Sequence, residues 1–420
     1  MLTEKPYIYI FYILSILIVI FNFINTVPIL YFDEWNLILE NLNYKFNFKD
    51  IFFYQHNEHK FGIWRLLYSP FIKLSSYDYQ ILTLIFSFFL ILICFFCIKI
   101  YMNLSKGFSF HILSTTLVVF NLSQWNNFSW GMQSTFIFPL LIFTLFIYIV
   151  TRYTLNIKIL ILFLPLIILC TICTAMGFLV SFLISLYIAT SIIKNKKWKL
   201  SLFSLLYFLI SFSYFLVLNI NKTFAPHKTY ELYLYIKGFD QLFSAFLGLG
   251  SSYYVIFTCS VFIFFHSFFL YLKTNKKVYK VILFFMSLSF IYSMMLIYGR
   301  ASLSLDFLNS SRYFVYIFPL YFGIILYFST FKSLSINLFL CFSILFVHLY
   351  QNPIWYKNYI TEQSKKRKWL ECYSEDKSID ICQKIIIINP SNKVIIKTIK
   401  RSLKNNYPIP NLINNHKSLK

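Results

Sequence analysis

Asp33 and Glu34 stand side by side directly after a long apolar run, and His56-Asn57-Glu58-His59-Lys60 begins 23 residues after Asp33. A carboxylate at the boundary between a membrane span and water is partly desolvated, which raises its basicity and suits it to take a proton from a hydroxyl. The competing role for both acids is to cap a helix over Trp35 to Leu42, whose amino end attracts negative charge. The second cluster packs two imidazoles, a carboxylate and an amine into five positions. His56, Glu58 and His59 could hold a divalent metal (Mg, Mn or Zn) or relay protons, with Lys60 as a point charge for a phosphate. The H-E-x-x-H spacing of zinc proteases is absent. The plainer alternative is a polar interfacial turn before an amphipathic stretch from Phe61 to Leu74.

A second set is built for carbohydrate. The segment from Ser123 to Gln133 carries Trp125, Asn126, Trp130 and Gln133. Indole faces stack on the C–H faces of sugars, and amides exchange hydrogen bonds with hydroxyls; a belt of interfacial aromatics is the competing explanation. Ala175-Met176-Gly177 could line the same cavity or serve helix packing. Arg300 and Arg312 flank a later loop, and a guanidinium can fork onto phosphate oxygens. Contacts with headgroups are the alternative for both, and Asp306 between them could be an ion-pair partner. Lys222, His227 and Lys228 are weaker candidates.

The elements that must position these residues are membrane spans. Of 420 residues, 59% are hydrophobic and 22% aromatic, more apolar surface than a soluble globule can hide. A helix needs roughly 20 apolar residues to cross the hydrocarbon core. Runs near 7–30, 79–102, 133–151, 175–193, 199–219, 252–272, 280–298, 313–330 and 334–350, with shorter ones at 110–122 and 158–173, predict an all-α polytopic protein of about 11 transmembrane helices. Loops carrying Lys99, Lys106, Arg152, Lys158, Lys194, Lys196, Lys197, Lys273, Lys276 and Lys277 alternate with loops that lack Lys and Arg. The positive-inside rule puts the basic set in the cytoplasm. The acids between Lys5 and Gln351, among them Glu231, Asp240 and Asp306, then fall in outward loops, six of them within the first outer loop, 31–78.

Two domains are expected, a transmembrane unit over 1–350 and a small extracytoplasmic α/β cap over 351–420. The cap combines a β-prone run, Lys384 to Ile388, with a helix-compatible stretch from Lys393 to Lys404. It holds fourteen Lys and Arg against five acids, so much of the net charge of +23 is concentrated there. Such a tail lies against anionic headgroups or is solvated; nucleic acid is not an expected partner. Cys94, Cys97, Cys170 and Cys173 sit in apolar spans and read as packing residues. Cys372 and Cys382 sit in the polar tail and would form a disulfide if that tail is outside. No Gly-rich phosphate loop appears, so a donor substrate would arrive through the membrane.

An Asp-Glu pair just after the first span, then an H-x-E-x-K-like cluster leading into an interfacial helix, resembles the GT-C superfamily of polytopic glycosyltransferases. Residues 1–180 carry most of the resemblance. It implies a sugar donor carried on polyprenyl phosphate, a glycan, lipid or protein acceptor, and inversion at the anomeric carbon. It also implies Asp33 as the acid that activates the acceptor, beside Glu34, with Glu58 and Lys60 meeting the carrier phosphate or a metal. Members often have Lys directly after the Glu; here His59 intervenes. The implied location is the cytoplasmic membrane of a bacterium, with chemistry on the outer side. A polysaccharide polymerase or ligase shares that donor chemistry. A lipid or glycan flippase would bury ionisable groups at mid-membrane depth, and these spans carry essentially none.

Overall fold

The computed structural model describes residues 5–27, 29–30, 34–41, 55–56, 59–60, 62–63, 66, 80–105, 108–195, 198–220, 230–249, 252, 254–300, 308, 310–375 and 378–404. The chain is a multi-pass membrane protein built from helices. In order these are α1 (Lys5–Asn25), α2 (Glu34–Asn41), α3 (Gln80–Leu104), α4 (Phe110–Val119), α5 (Trp125–Ser129), α6 (Gln133–Arg152), α7 (Ile157–Thr171) and α8 (Ala175–Asn195). They continue as α9 (Ser201–Ile220), α10 (Leu232–Phe246), α11 (Val255–Thr274), α12 (Lys277–Arg300), α13 (Phe318–Phe328), α14 (Leu334–Ser374), α15 (Ile379–Cys382) and α16 (Asn392–Lys404). Among the described residues one antiparallel pair of two-residue strands, Gln55–His56 with His59–Lys60, sets His56 opposite His59 along the backbone.

Among the described residues, eight helices are long and apolar enough to cross a membrane, one of them Ser311–Phe328, in which a 3-10 stretch, Ser311–Tyr316, leads into α13. The expected eleven are met in full length by these eight. Ile157–Thr171 and Trp198–Ser213 are shorter apolar helices, and α4, with ten residues, is about 15 Å long at 1.5 Å per residue, half the hydrocarbon thickness.

Burial separates the spans into an inner and an outer set. α6 is buried along most of its length and packs on α3, α12 lies against α13, and α8 against α9. α1, α11 and the first half of α14 instead expose large apolar side chains, Ile16, Leu17, Phe262, Phe265, Phe269, Phe342 and Phe346 among them. Facing lipid, such surface has no reason to be covered.

The structure departs from the sequence expectation in three places. The change to polar composition at 351 is not a break: α14 runs unbroken for 41 residues, with Pro353 inside it. Asp240, expected in an outer loop, is buried in α10, where its Oδ1 accepts hydrogen bonds from Ser252 Oγ (2.6 Å) and Tyr254 N (3.0 Å). Its helix escaped detection as an element because it is amphipathic rather than uniformly apolar. The Lys384–Ile388 run forms turns, not a strand. A lone strand has no ladder partner for its backbone groups; here the Gln383 side chain takes that part, accepting from Ile388 N and donating to Asn389 O.

Candidate functional site

The exit of α1 is fixed by polar groups buried between spans. Asn22 donates from Nδ2 to Thr83 O and Ser87 Oγ, both at 2.9 Å, tying α1 to the start of α3. Thr26 Oγ donates to Asn22 Oδ1 and shares a 2.8 Å hydrogen bond with the Tyr359 hydroxyl of α14, and Val27 N donates to Gln363 Oε1 at 2.8 Å.

α2 follows, with Trp35 fully buried and its Nε1 donating to Leu30 O at 3.0 Å. Glu34 opens this helix; the residue is 2% exposed, and its Oε1 accepts from Met132 N at 2.8 Å. The neighbouring Gly131 makes that approach possible. A Cβ there would stand 2.6 Å from Leu82 Cβ and 3.2 Å from Glu34 Oε1, and the Leu82 atom, being a Cβ itself, cannot swing aside. Glu34 is a positioning residue for the turn at 130–132.

That turn belongs to a segment held from several sides. Asn121 Nδ2 donates to Phe246 O (2.8 Å), Gln124 Nε2 to Val119 O (2.8 Å), and Asn126 N to Ser311 Oγ (3.0 Å). Lys366 of α14 is fully buried; its Nζ donates to Ser129 O at 3.0 Å and pairs with Glu362 Oε1 at 3.2 Å, while Ser129 Oγ donates to the same Glu362 oxygen at 3.1 Å. Arg312 brings its guanidinium carbon to 5.7 Å from the Trp130 ring centroid and 4.9 Å from that of Tyr313, with Nη2 donating to the Tyr313 hydroxyl at 2.9 Å. Both ring contacts lie within cation–π range.

Of the residues expected from sequence, Glu34, Trp130 and Arg312 come together at this end of the bundle, and Asn126 joins them through the Ser311 contact. Trp125 is half-buried at the start of α5. Gln133 is buried at the start of α6, its backbone N donating to Trp130 O. Arg300 ends α12, beside a segment, 301–307, that lies outside the described residues, as do Asp33 and Glu58 and the side chains of His56, His59 and Lys60. Among the described residues no three of His, Cys, Asp and Glu gather to hold a metal. Cys372 and Cys382 are joined by a disulfide, at the foot of the cap that follows α14.

Sequence reasoning missed Glu362 and Lys366; Asn127 lay within the Ser123–Gln133 segment but was not singled out. An acid and a base four residues apart on one helix were a readable signal, hidden by treating the tail as separate. The Asn127 amide is fully buried, and among the described residues neither its oxygen nor its nitrogen has a hydrogen-bond partner. Buried amides are ordinarily satisfied, so this one is an open donor and acceptor beside Phe128 and Trp130. Comparison of the chain with protein-family models, curated proteins and solved structures finds no match.

Proposed function

We propose that this protein is a membrane glycosyltransferase that moves a sugar from a polyprenyl-phosphate carrier to an acceptor hydroxyl, with Asp33 as the general base and inversion at the anomeric carbon. The observation that carries the reading is the hydrogen bond from Met132 N to Glu34. It ties the residue next to Asp33 to the turn whose Trp130 lies against Arg312, so an acid, an aromatic face and a guanidinium share one end of the bundle. The aromatic face and the guanidinium are groups that can stack a sugar and hold a departing phosphate, and Asp33, one residue before Glu34 in the chain, is the acid proposed to deprotonate the acceptor.

In this mechanism Asp33 takes the acceptor proton as the hydroxyl oxygen attacks the anomeric carbon, and the bond from that carbon to the carrier phosphate breaks. Arg312, with Lys60 and Arg300, stabilises the charge that develops on the phosphate. Trp125, Asn126, Trp130 and Gln133 are the residues assigned to the sugar. Glu34 keeps the turn in register. The Cys372–Cys382 disulfide supports an extracytoplasmic site in a bacterial cytoplasmic membrane, because disulfides persist in oxidising compartments, and α14 carries the cap on the same end as Glu34.

The test is transfer of label from lipid-linked sugars in membranes holding equal amounts of the protein or its Asp33→Asn variant. Removing a general base is expected to slow transfer roughly 10²- to 10⁴-fold. Equal transfer by both proteins removes Asp33 from the chemistry, and no transfer from any donor by the unaltered protein rejects the glycosyltransferase reading.

A further inference from the structure

We infer that α16 is a docking surface for anionic lipid headgroups, held at the membrane surface by α2. Three observations meet here. The first is placement. α16 packs on α2 through fully buried Ile395, Thr398 and Ile399, and Thr398 Oγ donates to Trp35 O at 3.3 Å. Because α2 begins nine residues after the end of α1 and its Trp35 is bonded back to Leu30, α16 is held close to the level where the first span leaves the bilayer.

The second is charge. Asn392–Lys404 contains five Lys and Arg and no acid. Lys393, Ile396, Lys397, Lys400 and Arg401 recur at helical spacing on the face opposite Ile395 and Ile399, and they line an open groove of about 380 Å³. Four cations around a groove of that size match the phosphate of a lipid headgroup, with Ile396 against its glycerol end.

The third is exposed apolar surface on the same small cap. Ile381 and Ile387 are 51% and 56% exposed although they lie outside every spanning helix, and the turn that carries them is bonded to the first residue of α16 through Gln383 Nε2 and Asn392 Oδ1 (2.9 Å). A basic helix flanked by bare isoleucines is the composition of a segment that rests in the headgroup layer. A cap merely solvated would gain nothing from leaving these isoleucines bare.

The full-length protein would be placed in nanodiscs of phosphatidylcholine with one-third phosphatidylglycerol, released, and its retained lipids counted by native mass spectrometry. The protein should keep phosphatidylglycerol in excess of its share of the bilayer. Each basic residue at a membrane surface is worth about five-fold in partitioning, so Lys397→Gln/Lys400→Gln/Arg401→Gln should lower that excess at least about ten-fold, whereas Lys397→Arg/Lys400→Arg should keep it. Melting temperatures of all variants would be measured beside the counts, since these side chains point away from the α2 contact. Equal retention of the two lipids, or an unchanged excess in the triple variant, overturns the proposal. So does displacement of the phosphatidylglycerol by a large molar excess of inorganic phosphate, which would mark a site for a free anion. None of these readouts depends on sugar transfer.

Discussion

The two ends of the helical bundle are built differently. At the end that carries Glu34, side chains buried between elements bond to the backbones of segments far away in the chain: Asn22 to Thr83, Glu34 to Met132, Asn121 to Phe246, Lys366 to Ser129. At the opposite end, polar contacts are mostly exposed. Asn103 Nδ2 reaches Thr151 Oγ at 3.3 Å, Lys277 Nζ reaches Thr151 O at 3.1 Å, and Arg152 bonds only one turn back, to Tyr148. An open groove of about 790 Å³ between Leu155–Lys158 and Trp198–Leu200 lies among the same basic loops. Two buried groups stand out there: Lys280, with Nζ donating to Tyr187 O and Ser191 Oγ, and Asn337, which bonds to His111 Nε2 at 2.7 Å and donates to Phe331 O and Ser333 O. The contrast teaches where the fold invests in position. Exposed pairs contribute little and are screened by salt, whereas a buried polar group is costly unless it is satisfied. A larger network of the second kind fixes the elements at the Glu34 end relative to one another.

The comparison can be broken most forcefully at Lys366. Replacing it with Met strands Glu362 and frees the Ser129 carbonyl, and removing one partner of a buried ion pair costs roughly 3 kcal/mol. The expected outcome of Lys366→Met is a clear fall in thermal midpoint in detergent together with loss of sugar transfer. A midpoint equal to that of the unaltered protein would show that the network is ornamental. Glu34→Gln is a sharper and smaller change. The amide keeps the size and one acceptor for Met132 N, but a hydrogen bond to a charged group is worth about 1.5 kcal/mol or more over none. Transfer should fall about ten-fold in kcat with KM nearly unchanged, while Glu34→Asp, too short to reach, should do worse. A larger loss in the amide than in the shorter acid would argue that the charge of Glu34 takes part in the reaction directly. Smallest of all, Lys277→Gln at the opposite end should alter stability by less than about 0.5 kcal/mol, read from the same thermal scans. A loss comparable to that of Lys366→Met would erase the distinction between the two ends.

The spans were legible because a run of Ile, Leu and Phe long enough to cross hydrocarbon has few other uses in a chain. α10 was not, since its apolar residues recur on one face only and Asp240 interrupts them. The junction of Glu34 with Met132 joins residues 98 positions apart, and no local pattern announces a contact of that span; the Gly at 131 was its one trace, readable only once Leu82 and Glu34 were known to flank it. Lys366 is not marked out in the sequence, because its neighbours Lys365, Arg367 and Lys368 are all basic, and composition cannot tell which of four such residues turns inward. The helix register decides it: Tyr359, Gln363 and Lys366 fall on one face, the face that meets α1 and α5.

Because α14 is one helix of 41 residues, it is a rod about 61 Å long, anchored in lipid at one end and bonded to the exit of α1 at the other. Lys366 stands fifteen residues beyond Gln351, about 22 Å along that rod. A tilt of about 5° around Gln351 would therefore carry the ammonium group sideways by about 2 Å, enough to part it from Ser129 O at hydrogen-bond distance. Spanning helices adjust their tilt to the thickness of the hydrocarbon layer. Such a tilt would loosen the hydrogen bond from Lys366 to Ser129, so the thickness of the surrounding lipid bears on how firmly the 125–133 segment is held.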